Sequence, residues 1–135
     1  MQKLKEKKII LLIDDNEFYH AATKAILKDK YEIITAKSGQ EAVEYLFQGT
    51  VPDLILLDIV MPDMDGWVTY HRIKEMNPAI PIAFATSLAG TSEMDHARDV
   101  GVADFIVKPF KTDDLLDRIE RIIRGNEEKV NGDQG

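Results

Sequence analysis

Cysteine is absent from the chain, so disulfides, thiolate metal sites and a cysteine nucleophile are excluded. A basic surplus is missing too. Lys and Arg number 17 against 24 Asp and Glu, a formal charge of −7, which leaves nothing to neutralise phosphates, and direct nucleic-acid binding is not expected. Long hydrophobic runs are also lacking. Residues 9–13 are too short a run for a signal peptide, and no run approaches the length of a membrane span, so membrane insertion is not expected. The absence of cysteine fits a reducing, cytoplasmic location. What is present is ordinary globular material: 135 residues, 44% of them hydrophobic, enough for one domain with a real core and too few for two. Residues 1–124 read as that domain and residues 125–135 as a polar, flexible C-terminal tail.

The chain is organised around Leu54-Ile55-Leu56-Leu57-Asp58 and the loop that follows, Ile59-Val60-Met61-Pro62-Asp63-Met64-Asp65-Gly66. An apolar run bounded by breakers reads as a buried strand, and Pro62 and Gly66 punctuate a turn before a helical pattern. An acid at the end of such a strand cannot pack, and its charge is costly to bury alone. Strand ends are nevertheless where open α/β sheets place their chemistry.

Four more strands are expected. Residues 9–13 are apolar at every position, the pattern of a strand covered on both faces, and they end on Asp14-Asp15. Tyr31 to Ala36 has polar neighbours and reads as an edge strand. Residues 80–85, slim at Ala83 and Ala85, deliver Thr86-Ser87, and Asp104 to Val107 delivers Lys108-Pro109.

Helices are expected between the strands. Asn16 caps the first, with Phe18, Ala21, Ala22, Ala25 and Ile26 as its buried face. Ser38-Gly39-Gln40-Glu41 matches a capping box, with Ala42, Val43, Leu46 and Phe47 as the stripe before Gly49. A third helix carries Tyr70 and Ile73 and stops near Asn77-Pro78. A fourth runs from Thr91 to Val100 with a weak apolar face and ends at Gly101. Thr112 caps the last, which buries Leu115, Leu116, Ile119, Ile122 and Ile123, with acids early and Arg118, Arg121 and Arg124 late, as the dipole favours. Strands alternating with helices predict a doubly wound, five-stranded parallel sheet of flavodoxin-like order 2-1-3-4-5.

Asp14, Asp15, Asp58, Thr86 and Lys108 then share one sheet edge. Three carboxylates repel one another, and a hard divalent ion such as Mg2+ relieves this through oxygen ligands. With a lysine and a hydroxyl beside them, the set fits phosphoryl transfer onto Asp58. It fits hydrolysis by general acid and base less well, since His20, His71 and His96 fall within helices, where ordinary surface positions are expected.

The motifs Ile13-Asp14-Asp15-Asn16, Leu57-Asp58 with the loop to Gly66, Ala85-Thr86-Ser87 and Val107-Lys108-Pro109-Phe110, in this order and spacing, resemble the receiver domain of two-component response regulators, including single-domain chemotaxis regulators. The likeness spans residues 7–124. It implies a phosphorelay switch, not an enzyme with a separate substrate. Asp58 would be phosphorylated by a histidine kinase or phosphotransfer protein. Asp15, Asp58 and the Val60 carbonyl would bind Mg2+, with Asp14 acting through water, and Thr86 and Lys108 would contact the phosphoryl group. It also implies a cis Lys108–Pro109 bond, and a switch in which Thr86 and Phe105 move and reshape a partner surface of the fourth helix, fifth strand and last helix. Val60 and Leu88 stand where the family tunes the access of water to the phosphoryl group. Both are apolar, which implies slow dephosphorylation. The downstream partner is not named by the sequence, and the last helix is a possible homodimer surface.

Two rivals fit less of the pattern. A phosphatase of the haloacid-dehalogenase type usually sets two aspartates one residue apart, whereas Ile59-Val60 follow Asp58. A flavin module needs hydroxyls and glycine where Asp14-Asp15 stand.

Overall fold

The computed structural model describes residues 6–62, 64–87 and 90–134, with side chains to residue 129. Strands β1 (Lys8–Ile13), β2 (Tyr31–Ala36), β3 (Leu54–Leu57), β4 (Ile82–Thr86) and β5 (Asp104–Val107) alternate with helices α1 (Glu17–Leu27), α2 (Gly39–Phe47), α3 (Gly66–Met76), α4 (Thr91–Val100) and α5 (Thr112–Gln134). All strand pairs are parallel, in the order β2-β1-β3-β4-β5, with Ile13 beside Leu57 and Leu57 beside Phe84. The expected topology is the observed one.

Side chains alternate across the sheet, so the uninterrupted apolar strands feed two cores. Leu11, Ile13, Ile55, Leu57 and Phe84 pack with Ala42, Tyr70 and Ile73, under α2 and α3. Ile10, Leu12, Leu54, Leu56, Ala83 and Ala85 pack with Leu27, Leu115, Ile119 and Ile123, under α1 and α5. The two alanines that make β4 slim thus face α5.

Several expected faces are corrected by the structure. In α1 the buried residues are His20, Thr23 and Leu27, whereas Ala21, Ala22 and Ala25 are exposed and Phe18 is 83% exposed. Small alanines fitted a plausible stripe, but the stripe 20-23-27 has the same helical spacing and begins directly over the sheet. His20 is therefore buried and not a surface residue. Phe47, in the last turn of α2, is 84% exposed, past the reach of the core. Thr112 is the first residue of α5 and not its cap.

The last helix does not stop at Arg124 but continues to Gln134. Its polar continuation places the good helix formers Glu127, Glu128 and Lys129 after the poor formers Gly125 and Asn126, and Glu127 pairs with Lys8 of β1 at 2.9 Å. Arg118 and Arg121 therefore lie mid-helix, bonded to Asp114 and Asp117 at 2.9 Å, and Arg124 pairs with Glu120, in i, i+4 contacts instead of a dipole interaction.

The caps largely form as read. Asn16 accepts from the Phe18 and Tyr19 amides, and Ser38 Oγ accepts from Glu41 N at 3.0 Å. Gly101 closes α4 at φ 85°, where an L side chain would be strained. Thr69, polar within α3, is fully buried, and its hydroxyl donates to the Asp65 carbonyl at 3.0 Å. Trp67 ties α3 to α4, since its Nε1 donates to Glu93 at 2.9 Å and its ring lies edge-on to His96.

Candidate functional site

The ladder of hydrogen bonds continues one residue past the strands and so fixes the site. Asp14 N donates to Ala36 O at 3.1 Å, Asp58 N to Ile13 O at 2.9 Å, and Lys108 N to Thr86 O at 2.9 Å. Each chemical residue is thus anchored through its backbone to a neighbouring strand of the sheet. Beyond Asp58 the chain turns back and enters α3 at Gly66, whose amide donates to Ile59 O at 2.8 Å. Asp65 caps α3 through the Val68 amide.

Asp14, Asp15 and Asp58 come together as the sequence indicated, with one carboxylate oxygen from each lying within 4.8 Å of the others. Asp14 and Asp58 are buried and Asp15 is exposed. Lys108, only 7% exposed, pairs closely with Asp14 Oδ2 and lies 3.7 Å from Asp58 Oδ2. Burying an ammonium is tolerable because two carboxylates meet it. The second Asp14 oxygen accepts the Asn16 amide at 2.9 Å. Both oxygens of Asp14 are therefore engaged, while Asp15 faces solvent, so the two neighbouring acids differ in what they can offer a cation. Three carboxylates are the donor set a hard divalent cation prefers, and the residues present fit Mg2+.

Thr86 is fully buried as the last residue of β4. Phe105 is half-buried on β5, beside Phe84, with ring centroids 6.2 Å apart. Val60 is 59% exposed next to Asp58, its amide 3.4 Å from Asp58 Oδ1. Leu88 and Asp63 lie outside the described residues. The Lys108–Pro109 peptide bond is cis, as the resemblance implied.

Two neighbours of the site were not singled out from the sequence. Tyr19, half-buried on α1, lays its ring under Lys108, with Nζ 3.9 Å from the centroid. His20 lines the same small cavity as Asp14, Asp58 and Lys108, and its buried Nε2 has no hydrogen-bond partner among the described residues. The i, i+3, i+7 spacing of His20, Thr23 and Leu27 was the available signal for the face that carries it.

The model of the response regulator receiver domain matches residues 10–120. The chain is 36% identical over 117 residues to the chemotaxis protein CheY of Halobacterium salinarum, covering 86% of this chain and 97% of that protein. It is 36% identical over 111 residues to the transcriptional regulatory protein DltR of Streptococcus agalactiae, and there spans only 49% of the relative's length. Among solved structures it is similar to the non-phosphorylated HemR receiver domain from Leptospira biflexa, with a TM-score of 0.77, 36% identity and coverage of 87% and 94% of the two chains. The protein belongs to the response regulator receiver family. Such domains are switches that act on their own phosphoryl group and do not turn over a separate substrate. Among the described residues no helix is long and apolar enough to cross a membrane.

Proposed function

We propose that the protein is a phosphoacceptor switch of a two-component or phosphorelay system, working in the cytoplasm, with Asp58 as the residue modified. The observation that carries this reading is the buried Asp14–Lys108–Asp58 arrangement at the sheet edge, with exposed Asp15 beside it. An Asp58 carboxylate oxygen attacks the phosphorus of a phosphohistidine. The P–N bond breaks and its electron pair stays on the imidazole nitrogen of the donor. Lys108 meets the oxygens of the transferring group, and the Thr86 hydroxyl bonds one of them. Asp15, Asp58 and the Val60 carbonyl would hold Mg2+, with Asp14, each of whose oxygens already has one partner, acting through water. The metal when bound neutralises charge on the phosphoryl oxygens.

The response is carried by Thr86 and Phe105 on adjoining strands, where Phe84 pairs with Phe105 and Thr86 with Val107. Their displacement biases the groove of about 420 Å3 among α4, β5 and α5, lined by Met94, Arg98, Phe105 and Arg118, where a downstream protein binds. The donor is a histidine kinase or phosphotransfer protein. Borohydride reduction of the phosphorylated chain tests the site. An acyl phosphate on Asp58 is reduced to homoserine at position 58, seen by peptide mass, and reduction elsewhere or nowhere would overturn the assignment.

A further inference from the structure

A buried ammonium needs compensation on every side, and Lys108 has carboxylates on only part of its surroundings. Asp14 pairs with it closely and Asp58 lies 3.7 Å away, while the ring face of Tyr19 sits 3.9 Å from Nζ. A cation over an aromatic face is attracted by the ring quadrupole, more strongly where water is excluded. Placement of this ring is not incidental to the site. The Asn16 side chain accepts the Tyr19 amide at 3.3 Å, and the Asn16 amide donates to Asp14 Oδ1 at 2.9 Å. One turn of chain therefore aims both Asp14 and Tyr19 at Lys108.

Phosphorylation changes the carboxylate side of this cage and leaves the ring side alone. Once Asp58 is an acyl phosphate its negative charge has moved outward onto the phosphoryl oxygens, and Asp14 remains as a competing partner that draws the ammonium inward. The ring attracts equally before and after transfer. We propose that Tyr19 is a positioning residue for Lys108: its ring face restrains the ammonium within reach of the incoming phosphoryl group and thereby sets the rate of transfer. This rests on the reading of Asp58 as phosphoacceptor. The ring face carries the effect, and the hydroxyl is dispensable.

The test compares wild type, Tyr19→Phe, Tyr19→Leu and Tyr19→Met, folded by thermal unfolding, with acetyl phosphate and Mg2+ as the probe and intact mass as the readout. Tyr19→Phe is expected within about twofold of wild type, and the two non-aromatic variants about two- to thirtyfold slower, the rate equivalent of a cation–π contact. A second readout needs no phosphorylation. The Lys108 ε-methylene protons should be shifted upfield by the ring in wild type and Tyr19→Phe and return toward ordinary values in Tyr19→Leu. A wild type that takes up phosphoryl groups, with a Tyr19→Leu variant equally fast, overturns the positioning role alone. So does a Tyr19→Phe variant as slow as Tyr19→Leu, or a wild type without the upfield shift. A wild type that takes up no phosphoryl group overturns the phosphoacceptor reading itself.

Discussion

The Cβ that Gly66 lacks would fall 2.3 Å from the carbonyl oxygen of Asp58 and 2.5 Å from Ile59 Cα. The obstacles are backbone atoms, which cannot turn aside as a side chain can. Glycine at this point lets the start of α3 close against the strand end that carries the proposed phosphoacceptor. Gly66→Ala is expected to lower stability by about 1–3 kcal/mol, the usual cost of overpacking. It should also slow phosphorylation, because relief of the clash must move residues 58 and 59. Urea unfolding and a phosphorylation time course check the two effects. A variant as stable and as fast as wild type would show that the turn is not under this constraint.

Lys108 is the positive charge that makes two buried carboxylates tolerable. In Lys108→Met the partners are left without it, and breaking a buried pair in this way costs about 3–5 kcal/mol. The loss should be largest without divalent ions and partly recovered by Mg2+, which answers the same repulsion. Unfolding measured with Mg2+ and with chelator decides this. Equal destabilisation in both would mean that the acids do not form a cation site.

Val60 is 59% exposed beside Asp58, and its side chain offers water no hydrogen-bonding group. Replacement by Asn supplies a polar side chain at the mouth of the site. The phosphorylated form of Val60→Asn is expected to lose phosphate several-fold faster than wild type, as followed by intact mass after removal of the donor. An unchanged lifetime would show that water access is not controlled from this position.

Burial pushes the Tyr70 phenol above its ordinary value of 10.0. A group whose folded pKa is raised contributes stability that is intact below the unfolded pKa and is lost as pH climbs toward the folded value. Tyr70→Phe has no proton to lose. Its stability relative to wild type should therefore be constant at neutral pH and move in its favour above about pH 10. Parallel unfolding curves across that range would contradict the assigned cause.

The sheet was legible because its signals are redundant. Apolar runs such as Ile10 to Ile13 and Leu54 to Leu57 admit a fully buried parallel strand, and the residues that end them, Asp14, Asp58 and Lys108, are placed by that topology alone. The helix faces were less legible. In α1 the alanines fit one stripe and His20, Thr23 and Leu27 another, and hydrophobicity favoured the wrong one because a histidine and a threonine fill the core there. The extent of α5 was hidden for a different reason, since residues 124–129 bury little and are held by polar contacts such as Lys8–Glu127. The Tyr19–Lys108 contact joins residues far apart in sequence, and no local pattern announces it.

Every role proposed for this site requires that Asp58 accept a phosphoryl group with the help of a divalent ion. Intact mass after incubation with acetyl phosphate, with and without Mg2+, on wild type and Asp58→Asn, tests it most directly. Wild type is expected to gain one phosphoryl group only with Mg2+, and Asp58→Asn none. No gain in wild type, or the same gain in Asp58→Asn, would contradict it.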